Sequence, residues 1–296
     1  MALFVMALVA AIAVAMTVRL RIDIHRTSLL LNADQAYLIA QGSIAWAEDR
    51  LSTDLKQEKA NQVVDHTPII SKPDELNGFQ IQSTIVDAQS FFNLNNLVIA
   101  TSLPDFIALL KVVDPKISPE AAKNLATAIQ QWLTPGALTS TPDPYYANSN
   151  PPYSPAHHAM VSLSELRLVK GMTPALYASL EPYVIALPES TPINVNTAPV
   201  PVLMSLDPKM TAAAATAILN QRTKTPFTDP QKFQDFDAIK TISVPAAKIT
   251  LTSRYFLVKT SVKIDQQETI LYTLLKRTGD KSKPVITALW QTKGAL

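Results

Sequence analysis

Few residues in this chain could do chemistry. His157 and His158 stand side by side in a proline-rich stretch. Two imidazoles can begin a metal site, but zinc takes about three or four protein ligands, and no third follows at a useful spacing. They read as surface histidines. Trp132-Leu133 is followed by Thr134-Pro135-Gly136-Ala137 and then by Pro142-Asp143-Pro144-Tyr145-Tyr146, where Asp143 is the one carboxylate. Calcium asks for about six to eight oxygens, several of them carboxylate. Asp143 with backbone carbonyls would be only a weak remnant of a calcium loop. The chain has no G-x-S-x-G elbow, no H-E-x-x-H helix and no phosphate-cradling glycine loop. It has no cysteine, which excludes disulfides, thiolate metal sites and cysteine nucleophiles. We assign no catalytic, metal-ligating or cofactor-binding residue. A membrane-tethered hydrolase would have nothing to work with.

The elements are more telling. Met1 to Val18 contain no charge, glycine or proline. Arg19, Arg21 and Arg26 end the run, and no helix breaker follows until Gly42. Eighteen residues of helix rise about 27 Å, close to the ~30 Å of a bilayer core. Met1, Leu3, Phe4, Val5, Leu8, Ile12 and Val18 are read as membrane-anchor residues. A cleaved secretory signal and a buried core helix are the competing readings. No basic residue precedes the run and helical periodicity continues through its end, which favours the anchor. The arginines follow the run, on the side that the positive-inside rule assigns to the cytoplasm. A basic leader before Met1, now removed, would lift that conflict.

Beyond Arg26 an apolar stripe recurs at Leu30, Ala33, Tyr37, Ala40, Ile44, Ala47, Leu51 and Leu55. Steps of three and four residues put these on one helix face. The helix is expected to reach Lys59, about 90 Å in all, with its outer half holding a globular body. Leu30, Tyr37, Ile44 and Leu51 are the expected partner contacts along it. Gly78 to Val86 alternate as a strand. Ile249 to Ile264, Thr269 to Leu275 and Val285 to Gln291 read as a meander. Between them Phe106–Val113, Pro119–Leu133, Leu163–Val169, Pro174–Ile185, Val200–Leu206 and Thr211–Arg222 look helical, with prolines near several starts. Strands outside and helices inside give an α+β fold: a long N-terminal helix packed on an antiparallel sheet, with a large all-α domain inserted into the sheet. The expected divisions are 1–60 for the anchor and helix, 61–90 for the first part of the body, 91–245 for the insert and 246–296 for the closing strands.

The insert hints at a repeat. Asn93-Leu94-Asn95, then Asp114-Pro115-Lys116, then Ala126-Thr127-Ala128-Ile129, is matched by Asn194-Val195-Asn196, Asp207-Pro208-Lys209 and Ala215-Thr216-Ala217-Ile218. The asparagines are expected to cap and turn rather than to bind.

Four features in order carry a resemblance. They are the charge-free run feeding a long helix, Phe92-Asn93-Leu94-Asn95-Asn96-Leu97, Ser164-Glu165-Leu166-Arg167 before Val169-Lys170-Gly171-Met172, and Ile193-Asn194-Val195-Asn196-Thr197-Ala198. Together they resemble the K-type minor pseudopilins of bacterial type II secretion (general secretion pathway protein K). The resemblance implies a pilin-like body in the periplasm, a single-pass anchor in the inner membrane, and I-type and J-type minor pseudopilins as partners. Other pseudopilins and the inner-membrane secretion components are implied as further partners. It also implies a place at the pseudopilus tip, starting its assembly. K-type members commonly lack the Glu that other pseudopilins carry at the fifth mature position, and Val5 stands there if Met1 is near the mature start. The family's calcium loop follows a Trp-Leu pair. With only Asp143 in that stretch, the calcium site is expected to be lost or much weakened.

Two alternatives remain. One is a minor pilin of another type IV-like filament. The other is a helix-hairpin-helix nucleic-acid binder for DNA uptake, since Ile193 to Ala198 also resembles such modules. Against the latter, Leu206-Asp207-Pro208-Lys209-Met210 has no glycine, Asp207 would repel phosphate and Pro208 lacks an N–H. The net charge of +2 is too small to imply a nucleic-acid partner. No nucleic acid and no small-molecule substrate are expected.

Overall fold

The computed structural model describes residues 1–57, 68–135, 144–280 and 282–294. Helix α1 (Ala2–Gln57) is unbroken. Lys59, the expected helix end, lies outside the described residues.

The sheet is built from β1 (Ile69–Ile70), β2 (Asp74–Leu76) and β3 (Phe79–Asp87). Three later strands complete it after the insert. The insert opens with β4 (Phe92–Asn93), α2 (Leu103–Val113), α3 (Pro119–Leu133) and α4 (Pro144–Ala147). A 3-10 segment at Leu163–Leu168, α5 (Pro174–Leu180) and β5 (Val184–Ile185) close its first unit. The second unit comprises β6 (Ile193–Asn194), α6 (Val200–Met204), α7 (Ala212–Lys224), α8 (Pro230–Gln234) and β7 (Ile249–Thr250). The sheet then resumes with β8 (Tyr255–Ile264), β9 (Gln267–Gly279) and β10 (Pro284–Lys293). Among the described residues its order is β1-β3-β8-β9-β10, all antiparallel, with β2 pairing the start of β3. Gly279 turns the chain toward β10 at φ +82°, and a Cβ there would sit 2.2 Å from the Lys283 carbonyl oxygen, so no other residue fits.

One sheet face takes α1. Ala36 and Ala40 pack against Phe79, Val262 and Leu271. Ala47 and Leu51 pack against Ile85, Phe256, Val258 and Leu275. Alanines at the contact let the helix lie close to the strands. The opposite face, through Tyr255 and Leu274, packs on Ala88 and on Ile185 and Leu187 of the insert. The insert therefore leaves the sheet at the end beside Leu51. That end lies about 50 Å along α1 from Val18 at 1.5 Å per residue.

Three expectations need correction. Leu30, which opens the stripe expected to hold the body, is instead 69% exposed: among the described residues the body reaches α1 there only through the Gln267 Nε2 bond to the Leu29 carbonyl, at the hairpin end of β8 and β9. The helix expected over Pro174–Ile185 stops at Leu180. Pro182 lacks the N–H that would extend it, and Val184–Ile185 instead pair in parallel with Phe92–Asn93. Ile249 does not begin the meander. Ile249–Thr250 pair in parallel with Ile193–Asn194, and Ile249 and Leu251 are buried in the insert's own core.

The two parallel pairs expose the repeat. Each unit starts with an Asn-x-Asn strand, runs through helices and returns to lie beside that strand. The first asparagine of each caps the turn that follows: Asn93 Oδ1 accepts from the Asn95 N–H, and Asn194 Oδ1 from the Asn196 N–H. The second ties distant backbone. Asn95 accepts from the Met160 N–H and donates to the Met160 and Leu187 carbonyls. Asn196 accepts from the Phe227 N–H and donates to the Phe227 and Leu251 carbonyls. The capping role expected of these side chains thus extends to long-range bracing. In unit two, Arg222 adds two bonds to the Val195 and Ala198 carbonyls. Burial lowers the pKa of its guanidinium. Asp105 of unit one meets Lys248 of unit two at 2.7 Å and clasps the pair. Burial still raises the Asp105 pKa against that cation.

Candidate anchor and assembly surfaces

Among the described residues, nothing else covers the apolar start of α1. Met1 (105%), Leu3 (83%), Phe4 (72%), Val5 (55%), Leu8, Ile12 and Val18 are all exposed. The most apolar 18-residue window of the helix has a mean hydropathy of 2.4 and is 0% buried within the protein. A core helix would be covered, so the structure argues against that reading. An uncovered helix of this length and composition can cross a bilayer.

Of the four positions read as partner contacts along the helix, Leu51 is 1% exposed and taken up by the chain's own sheet. Tyr37 and Ile44 are half-buried against that sheet. Leu30 stays open, with Leu31 and Leu38 also exposed (57% and 64%).

Two polar clusters hold the insert to the sheet. At the end of β3 the Asp87 carboxylate is fully buried. Its Oδ1 accepts from the Gln89 N–H, and its Oδ2 from Asn194 Nδ2, Thr197 Oγ1 and Ser253 Oγ. The chain leaves the sheet beside Asp87 and returns beside Ser253, so one carboxylate fastens both strands of the crossing. Sequence reasoning missed it: a single acid after an alternating strand gives no sign of partners so far along the chain. The second cluster centres on Glu189, which accepts from the Tyr255 hydroxyl at 2.6 Å and pairs with Lys276 and Arg254. The Tyr255 bond, with the two cations, holds the Glu189 pKa below its ordinary value. Burial and the Glu189 carboxylate push the Tyr255 hydroxyl up.

Next to this junction lies an apolar cleft of about 260 Å³ between sheet and insert, lined by Phe91, Leu163, Val184, Leu257 and Trp290 among others. Strand β10 forms the adjacent sheet edge. It begins at Pro284, is irregular between Ala288 and Trp290 and ends at Lys293. Proline, bulge and lysine are all features that discourage unwanted edge pairing.

The motif residues do structural work. Glu165 accepts from the Val161 and Ser162 N–H groups and from Trp132 Nε1, closing a capping box with Ser162. In the turns at Val169–Met172 and Leu206–Met210, the two places where a helix-hairpin-helix module would hold phosphate, the Met172 N–H is bonded to Val169 O, the Met210 N–H to Asp207 O and the Lys209 N–H to Asp207 Oδ1. Those amides are spent within the hairpins and are not turned outward toward phosphate. His157 and His158 each place Nδ1 against a carbonyl, those of Thr134 and Ala159. Among the described residues no group of three or more His, Cys, Asp or Glu could hold a metal. Asp143 lies outside the described residues.

Two family models, both described as Type II secretion system (T2SS), protein K, match residues 90–189 and 193–252. These spans coincide with the two units bounded by the parallel pairs. The chain is 30% identical to type II secretion system protein K of Pseudomonas aeruginosa, covering 94% of this chain and 87% of that protein. It is 28% identical to the Klebsiella pneumoniae protein of the same name, covering 94% and 91%. Among solved structures it resembles a chain of the GspK-GspI-GspJ complex from enterotoxigenic Escherichia coli. That match has a TM-score of 0.76 and 25% identity, covering 92% of this chain and 100% of that one. On these matches, and on the uncovered apolar helix and helical insert they extend over, the chain belongs to the type II secretion system protein K family.

Proposed function

We propose that this chain is the tip subunit of a type II secretion pseudopilus. In this reading α1 holds it in the bacterial inner membrane and its body stands in the periplasm. It starts assembly with I-type and J-type minor pseudopilins and thereby supports export of folded proteins. The observation that carries the reading is the position of the insert, at the sheet end farthest along α1 from the apolar run. A subunit added beyond that end would meet the insert instead of a free helix and sheet. The resemblance to a chain from a GspK-GspI-GspJ complex supports the same choice of partners. The uncovered leucines Leu30, Leu31 and Leu38 are the helix positions left for partner contact.

Co-purification tests this. The full chain in mild detergent, mixed with the I-type and J-type proteins of its own organism, is expected to run as one ternary complex on size exclusion. A chain that ignores both partners would instead belong to another filament system.

Calcium is expected to contribute little. The ion needs about six to eight oxygens, the Glu165 carboxylate near Trp132 is already engaged, and the sequence between Pro135 and Pro144 offers Asp143 alone. The melting temperature should be the same with added calcium and with chelator. A fall of several degrees on chelation, restored by calcium, would contradict this.

A further inference from the structure

Between the anchor and the body, α1 carries a segment that neither needs for its own purpose. The apolar run ends at Val18, and among the described residues the first hydrogen bond from the body to the helix is at the Leu29 carbonyl. The intervening ten residues rise about 15 Å and are exposed throughout. This is the depth at which an anchored helix passes the lipid headgroups, which add about 5–8 Å to each side of the hydrocarbon core. Arg19, Arg21 and Arg26 lie here, against a single carboxylate, Asp23. None of the three arginines is in an ion pair among the described residues. At about 100° per residue, Arg19 and Arg26 share one side of the helix and Arg21 faces the opposite side. The positive charge therefore surrounds the helix and does not form one stripe.

We propose that Arg19, Arg21 and Arg26 form a collar that binds headgroup phosphates and gathers anionic glycerophospholipid, such as phosphatidylglycerol, around the anchor. The proposal rests on the membrane-anchor reading. The guanidinium is a planar fork that takes phosphate oxygens in pairs, and it stays charged at any physiological pH. In a zwitterionic lipid the phosphate is already countered by its own ammonium group, so a lipid with net negative charge is preferred. Asp23 lies four residues after Arg19 and three before Arg26 and tempers only that side, leaving Arg21 without an acidic neighbour one turn away.

The test uses the full chain reconstituted in vesicles of equal parts phosphatidylglycerol and phosphatidylcholine. The lipid retained by the protein after gentle detergent extraction is measured by mass spectrometry. Phosphatidylglycerol is expected to be retained over phosphatidylcholine by a ratio of about three to one or more, against the equal ratio of the bulk vesicle. Enrichment should vanish in Arg19→Gln/Arg21→Gln/Arg26→Gln, persist in part in the triple Lys variant and be unchanged in Arg50→Gln. Inorganic phosphate should act no differently from chloride at equal ionic strength, and selective displacement by phosphate would overturn the lipid assignment. Equal retention of both lipids by the native chain overturns the collar while leaving the anchor standing. A native chain that fails to enter the vesicles overturns both.

Discussion

Asp87→Ala is expected to destabilise the body by about 3–5 kcal/mol, since several buried donors would be left unsatisfied at about 1–3 kcal/mol each, partly offset by relaxation. The side chain is fully buried and accepts from four donors on three separate segments. Without it, the Gln89 amide, Asn194, Thr197 and Ser253 lose an acceptor in a place water does not reach. Asp87→Asn is expected to be destabilising too, because its amide nitrogen would present a donor to donors. The urea midpoint of the protein measures this, with Asp237→Ala as the reference. Asp237 is 90% exposed in a surface pair with Lys240, so its removal should change stability by no more than about 0.5 kcal/mol. Equal midpoints for the two alanine variants would show that the sheet–insert crossing is fastened elsewhere.

Leu8→Arg/Ile12→Arg is expected to abolish membrane retention. The two positions lie one turn apart near the middle of the apolar run and are open to the surroundings, at 52% exposure each. A charge at that depth costs about 2.5–3.5 kcal/mol, so two cost about 5–7 kcal/mol, on the order of a ten-thousandfold shift in partition. Carbonate extraction of membranes should release the double variant and retain the native chain. Leu38→Arg, on the same helix but beside the sheet, should be retained like the native protein. If the double variant stays in the membrane pellet, α1 does not cross the bilayer through these residues.

The parts of this fold that were legible in the sequence are those with length or a marked boundary. Helix α3 has the limits expected of it, because Pro119 opens it and fifteen residues are helix-compatible; the structure adds the Ser118 cap. Strand β3 was read from nine alternating residues. The two parallel pairs were not legible. A pair of two-residue strands has no period, and Ile249 looks like the start of any apolar strand until its partner at Ile193 is known. That the sheet stops short of Leu30 was not legible, because periodicity marks a helix face but not where the covering sheet begins. The capping role of Asn93 and Asn194 is local and could be inferred. The bracing by Asn95 and Asn196 spans up to 92 residues of chain and could not. Asp87 shows the same limit, since its partners are set by topology, not by spacing.

The insert closes one end of the body while α1 leaves by the other, so a filament that accepts this chain at its head has no second seat for it. Each assembled fibre would then consume a single copy, whatever its length. Cellular abundance of this chain would set how many fibres a bacterium can raise, while the supply of the repeating subunits would set how far each one extends.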